Sequence, residues 1–316
     1  MMKKSCSSYY LKHKAGKITV NIFRLLLVSG VCYLLLFPLI YLIITAIQDP
    51  QSVADQTVMW VPKALSDINF QNAIKKLDYV KSFSFSVFIA LVATILTIVS
   101  CSMVGYGFSR FEFFEKKIAF VFVILLIIIP PQTTMMSTYM NFRFFDFGGI
   151  VKLTNGQSIN MLNSPFTLFL PAMFACGIRS GLFIFLFRQF FSGQPKELEE
   201  AARLDGCGAF GTFWKIMMPI SSPVVITSGV LSFVWYWNDS FYSELFFTED
   251  LKPLAVQLSN LRELLMANAN SVEAAAGEGR GLIAAASLLC IVPPLIVYIF
   301  LQRKFAESIG RTGIVG

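Results

Sequence analysis

Residues 195–223 read PKELEEAARLDGCGAFGTFWKIMMPISSP and form the longest polar island in the apolar second half of the chain. Pro195 suits a first helical position, where a missing N–H costs nothing, and Glu197, Glu199 and Glu200 favour the positive end of the helix dipole. A helix is predicted to begin there. Leu198, Ala201, Ala202 and Asp205 fall at spacings of three and four, giving a narrow face of mostly small side chains on which another protein can approach the backbone closely. Gly206 is placed to end the helix, since glycine takes the left-handed conformation of a C-terminal cap at little cost. Phe210, Phe213, Trp214 and Met217 then repeat at i, i+3, i+4 and i+7, which predicts a second short helix in the lipid headgroup region. Pro219 and Pro223 lead into the next apolar run. The stretch is expected at a membrane surface, facing something outside this chain.

The composition agrees with a membrane setting. Of 316 residues 55% are hydrophobic and 14% charged, more apolar surface than a soluble domain needs. The net charge of +7 is not spread as in a nucleic-acid binder. Lys3, Lys4, Lys12, Lys14, Lys17 and Arg24 precede the first apolar run without an acidic residue, so the N-terminus is read as cytoplasmic. Cys6, Cys32, Cys101, Cys176, Cys207 and Cys290 form no CxxC or Cys/His cluster, and His13, in the same tail, reads as a polar residue; neither a disulfide framework nor a metal site is suggested.

Hydropathy places six spans. Residues 25–48 carry no charge and are long enough to cross roughly 30 Å of hydrocarbon. An external segment with a Trp60-Val61-Pro62 turn follows. Residues 82–108 form span two, whose Ala90, Ala93, Ser100, Ser102, Gly105 and Gly107 suit close helix packing. Span three, 118–142, is interrupted by Pro130 and Pro131, and residues 130–134 are expected to face the bundle interior. Span four, 165–187, holds Arg179, which on a continuous helix would lie roughly 13 Å deep. An intramembrane charge has two readings: a substrate-path residue contacting a hydroxyl-rich or anionic solute, or a structural ion pair with a partner subunit or a helix break at Gly177 that lets it snorkel. Span five, 220–238, ends in Trp235-Tyr236-Trp237, expected as an aromatic belt at the outer interface. Span six, 281–302, carries Pro293 and Pro294, which predict a second mid-span break. Lysine and arginine concentrate on the inner side of this topology and aspartate and glutamate on the outer side.

The chain thus divides into a basic cytoplasmic tail (1–24), a six-helix membrane domain (25–302) with an inner loop at 188–219, and a cytoplasmic tail (303–316). The fold class is an all-α integral membrane protein with both termini cytoplasmic. Gly206, Gly208 and Gly211 spell G-x-G-x-x-G, but a charged helix precedes them and a membrane span follows, so the dinucleotide reading fails.

Glu200, Ala201, Ala202, Gly206, Ile216 and Pro219 stand in the spacing of the EAA signature of bacterial ABC-importer permeases, with Met218 in place of the usual leucine. Gly105-Tyr106-Gly107-Phe108-Ser109-Arg110 resembles the AYAFSR segment of sugar-importer permeases, and Trp237-Asn238-Asp239 is similar to their sWND segment. The chain resembles the MalG-like subunit of carbohydrate importers from span one to the tail. That resemblance implies a MetI-like permease fold in a bacterial cytoplasmic membrane and import of a saccharide. It further implies that the helix from Pro195 through Asp205 couples to a separate ATPase subunit. Expected partners are a MalF-like second permease, two copies of the ABC ATPase, an extracytoplasmic solute-binding protein and the lipid bilayer; nucleic acid is not expected. No G-x-x-x-x-G-K-[ST] occurs, so ATP and its magnesium are assigned to the ATPase subunits and no cofactor to this chain.

Arg179, Pro130 and Asn238 are the candidate substrate path. Leu254, Ala255, Val256 and Gln257 resemble a loop that enters the binding protein's sugar cleft in maltose-type importers; a plain solvent loop is the alternative. A permease for a non-sugar or anionic solute remains open. A membrane-embedded enzyme is disfavoured, since no span carries a pair of carboxylates or a histidine. The tail at 302–316 is similar to the glycine-rich ending of the same family, with Ser308 and Val315-Gly316 departing from it.

Overall fold

The computed structural model describes residues 2–50, 64–249, 251–267 and 272–312. The Trp60-Val61-Pro62 turn and the glycine-ended residues 313–316 lie outside them. Every named element among the described residues is a helix, with two isolated bridges and no strand.

In chain order the helices are α1 (Met2–Ile47), α2 (Ile68–Lys76), α3 (Tyr79–Arg110), α4 (Lys116–Ile128), α5 (Pro131–Arg143), α6 (Ile150–Asn155), α7 (Phe166–Met173) and α8 (Ser180–Ser192). There follow α9 (Glu197–Leu204), α10 (Ala209–Thr212), a π-helical turn (Phe213–Met217), α11 (Met218–Ile220), α12 (Ser222–Trp237), α13 (Phe241–Phe246), α14 (Leu254–Ala267) and α15 (Val272–Thr312). The predicted tail boundaries at 24/25 and 302/303 carry no break, because α1 and α15 run through them.

Segments Val20–Ile47, Tyr79–Arg110 and Gly279–Gln302 are long and apolar enough to cross a bilayer. Two bent pairs qualify as further spans: Lys116–Ile128 with Pro131–Arg143, bent by 101°, and Ala209–Ile220 with Ser222–Trp237, bent by 78°. The first bend realises the break predicted at Pro130 and Pro131. Pro131 opens α5 at its first turn, where the absent N–H is not needed.

The chain forms two compact units. The first joins residues 1–73 to 265–288. Every side chain from Val20 to Leu36 is exposed, as an apolar span offered to lipid should be. On α2, Asn69 is 2% exposed and donates through Nδ2 to the carbonyls of Ala46 (3.1 Å) and Gln48 (2.8 Å).

The second unit, residues 74–264 and 289–316, carries the site. Its spine is α3, which packs against α7, α8 and α12. Of the six small residues noted in span two, Ala90, Ala93, Ser100, Ser102 and Gly105 are buried and Gly107 is half-exposed. A Cβ on Gly105 would lie 2.6 Å from Phe187 Cβ and 2.9 Å from the Arg188 nitrogen, so α3 and α8 meet almost backbone to backbone. Phe183, Phe187, Phe191, Phe213 and Met217 fill the core beside this contact.

Three expectations are corrected here. The break predicted at Pro293 and Pro294 does not occur, and α15 is one helix. Each proline lacks the N–H that would bond the carbonyl four residues earlier, at Leu289 and Cys290. The Tyr79 hydroxyl donates to the Leu289 carbonyl (3.2 Å) and Trp237 Nε1 to the Cys290 carbonyl (3.0 Å), so neither carbonyl is orphaned. Tyr236 and Trp237 are both 3% exposed, so the expected outer aromatic belt is turned largely inward. Phe213 and Met217, read as headgroup residues, are likewise core residues at 3% and 0% exposure; the π turn rotates them inward and leaves Phe210 outside.

Candidate functional site

Two regions hold the residues singled out from the sequence. The first is the loop around α9. Lys196 precedes the helix and Glu197, Glu199 and Glu200 occupy its first turn, as the dipole argument requires. At the other end Gly206 has φ 80°; its N–H donates to the Arg203 carbonyl at 3.0 Å and that of Cys207 to the Ala202 carbonyl at 2.9 Å, the paired bonds of a Schellman cap. Side chains of the expected docking face divide: Ala202 is 2% exposed and packed inward, whereas Glu200, Ala201, Asp205 and Gly206 are exposed. Ile216 is half-buried against the core and Pro219 is exposed. Leu204, at 89% exposure, and Phe210, at 66%, add exposed apolar surface to the same loop.

Sequence reasoning missed the attachment of this helix. Arg110, the last residue of α3, pairs through Nε with Glu199 Oε1 at 2.8 Å, and its Nη2 donates to the Gln194 carbonyl at 2.7 Å. Both charged side chains are more than nine-tenths buried. The Nε–H is not aimed along the pair, so the charges attract by proximity while the second bond fixes the guanidinium. Glu199 reads as a dipole residue and Arg110 as an inner-loop cation; a charge at the end of each of two adjacent elements was the available signal.

The second region is a break in span four. Residues 174–179 are non-helical, so α7 and α8 are separate helices and the continuous-helix depth of Arg179 does not apply. Pro171 starts the interruption, and the chain turns back through Ala175 and Arg179, both at left-handed φ of 55° and 58°. Such backbone persists where surrounding contacts over-determine it. Those contacts are present. Ser100 Oγ donates to the Ala172 carbonyl at 2.6 Å, the Ile178 N–H donates to Tyr236 Oη at 3.2 Å, and Tyr236 Oη meets Thr97 Oγ1 at 3.3 Å. Gly177 leaves no room for a Cβ, which would overlap the Tyr236 hydroxyl.

The break opens onto a cavity of about 260 Å³. Arg179, Ser180, Thr134, Thr138, Tyr236 and Tyr242 supply its polar lining and Leu126, Ile129, Phe142 and Phe246 part of its apolar wall. Burial, with the nearby Asp239 charge adding to it and Arg179 opposing, raises the pKa of Tyr242, which stays a neutral donor at neutral pH. Arg179 is exposed in this chain, lies 5.9 Å from the Trp235 ring, and forms no ion pair among the described residues. Pro131 and Thr134 line the cavity; Pro130 and Asn238 do not, and Asn238 instead returns its amide to the Val234 carbonyl at 3.0 Å.

The stretch at Leu254 is not a free loop. Leu254 and Val256 are each 1% exposed at the start of α14, and the Leu254 N–H donates to Ser86 Oγ at 2.7 Å. Ala255 and Gln257 alone of the four are half-exposed. Among the described residues no cluster of metal-ligating side chains occurs.

The family described as "Binding-protein-dependent transport system inner membrane component" matches residues 102–311, about two thirds of the chain. The chain belongs to this family. It is therefore a binding-protein-dependent ABC importer permease of the inner membrane. Relatives of this permease include the arabinooligosaccharides transport system permease protein AraQ of Halalkalibacterium halodurans, 28% identical over 90% of this chain and 93% of that one. The melibiose/raffinose/stachyose import permease protein MelC of Bacillus subtilis is 29% identical over 83% and 86%. Among solved structures, a chain of a bacterial ABC transporter involved in the import of the acidic polysaccharide alginate superposes with a TM-score of 0.71, at 20% identity, covering 90% of this permease and 96% of that chain. The shared fold is that of an ABC importer permease.

Proposed function

We propose that this permease passes a saccharide into the cytoplasm as one membrane half of an importer whose ATP is consumed by separate subunits. The observation that carries the reading is α9: a capped, acidic-headed helix, bolted to the end of α3, whose exposed residues Glu200, Ala201 and Gly206 belong to the EAA pattern and stand beside an exposed Asp205. Names of the relatives supply the solute class, since AraQ and MelC are permeases for oligosaccharides.

In this reading the three long spans and two bent pairs, with α7 and α8 as a broken sixth, form a six-span membrane domain over residues 25–302, with residues 1–24 and 303–316 in the cytoplasm. A MalF-like permease completes the path, two ATPase copies dock on the loop at 188–219, and a solute-binding protein delivers from outside with Ala255 and Gln257 near its contact. ATP and magnesium reside on the ATPases. Closure of the ATPases displaces α9, and Arg110 carries that displacement into α3 and the packed helices, switching access from one side to the other.

The test is reconstitution of the full assembly in proteoliposomes. Saccharide uptake should need ATP and this chain together, and Glu200→Lys should abolish uptake while the permease still inserts. Undiminished uptake by Glu200→Lys would refute the docking role.

A further inference from the structure

The polar groups of the cavity converge at the first turn of α8. Ser180 is 2% exposed, lines the cavity, and its Oγ has no hydrogen-bond partner among the described residues; the Cys101 thiol, a weak partner, lies beside it. A hydroxyl whose sole neighbour is a weakly bonding thiol keeps hydrogen-bonding capacity to spare. Next to it stands Arg179, held in a left-handed conformation and without a carboxylate partner among the described residues, in a lining that contains no aspartate or glutamate. The lining at this corner is positive: Asp239, whose charge reaches Tyr242, forms no ion pair with Arg179, and the donors around the guanidinium are neutral.

A neutral sugar would satisfy hydrogen bonds here but leave the guanidinium, which lines the cavity beside the Trp235 ring, without a charge partner. A carboxylate does both, because its two oxygens match the planar fork of arginine and can take a further hydroxyl donor. We propose that Arg179 and Ser180 form a recognition site for the carboxylate of an acidic saccharide, with Thr134 and Tyr242 reaching the hydroxyls of the same sugar unit. This rests on the reading of the chain as a saccharide permease and names the solute class within it.

The experiment uses the purified importer complex and three probes measured by calorimetry: trigalacturonic acid, its methyl ester and maltotriose. The acid should bind at least about tenfold more tightly than its ester, as expected when a bidentate charged pair is lost. Arg179→Met should bring the acid down to the ester's affinity, Arg179→Lys should retain part of the preference, and Ser180→Ala should weaken the acid alone. Each variant complex should elute with its partner permease intact. Equal binding of acid and ester, or loss of the partner permease from the Arg179→Met complex, overturns the site while leaving the saccharide reading standing if maltotriose binds. Failure of all three probes on the wild-type complex overturns both.

Discussion

Trp237 donates its indole N–H to the Cys290 carbonyl at 3.0 Å, the carbonyl that Pro294 leaves without its helical partner. Trp237 is 3% exposed and Cys290 8%, so an unmet carbonyl there costs about 1–3 kcal/mol. Trp237→Phe should therefore lower the thermal midpoint of the detergent-solubilised chain. Adding Pro294→Ala restores the missing N–H and should recover most of the loss. An equal loss with and without Pro294 would show that the indole acts through packing instead.

Glu199→Gln removes one partner of a buried ion pair and strands the Arg110 charge, at an expected cost of about 3–5 kcal/mol. Hydrogen exchange should accelerate over residues 197–204 before it does elsewhere. Arg110→Lys should behave almost as badly, because lysine lacks the second nitrogen that holds the Gln194 carbonyl.

Gly206 sits at φ 80°, where a β-branched side chain is a steric outlier. Gly206→Val should leave the permease inserted and abolish ATP-driven uptake, whereas Gly206→Asn, which tolerates the left-handed region, should keep most of it. Comparable uptake by both variants would remove the cap from the coupling mechanism.

Ala201 and Ala202 are adjacent but differ in burial, Ala201 exposed and Ala202 at 2% exposure. In a background lacking Cys207, a cysteine at position 201 should crosslink to the ATPase and one at 202 should not. Crosslinking from both would mean that α9 detaches from α3 when it docks.

The helix at α9 was legible because its signals are local: a glutamate-rich first turn and a glycine at the cap determine start and stop without outside help. Span two was legible for a similar reason, since small residues announce close packing whatever the neighbour. The prolines were ambiguous, because whether a freed carbonyl breaks a helix depends on donors far away in sequence. Pro130 and Pro131 do bend the chain; Pro293 and Pro294 do not, and nothing near residue 290 points to Tyr79 or Trp237. Arg179 was legible as unusual, and a helix break at Gly177 was one of its two readings; the left-handed turns at Ala175 and Arg179 that make the break are held by Ser100 and Tyr236, far away in sequence. Leu254 reads as a loop and proves buried, held by Ser86, a pairing 168 positions apart.

The cut between α7 and α8 has a mechanical meaning. Its crooked six-residue elbow is clamped by Ser100 at one end and by Tyr236 at the other, so each short rod is fastened to its neighbours rather than carried by the rod before it. Loosening either clamp, as Ser100→Ala or Tyr236→Phe would, should free the elbow before it disturbs the rods.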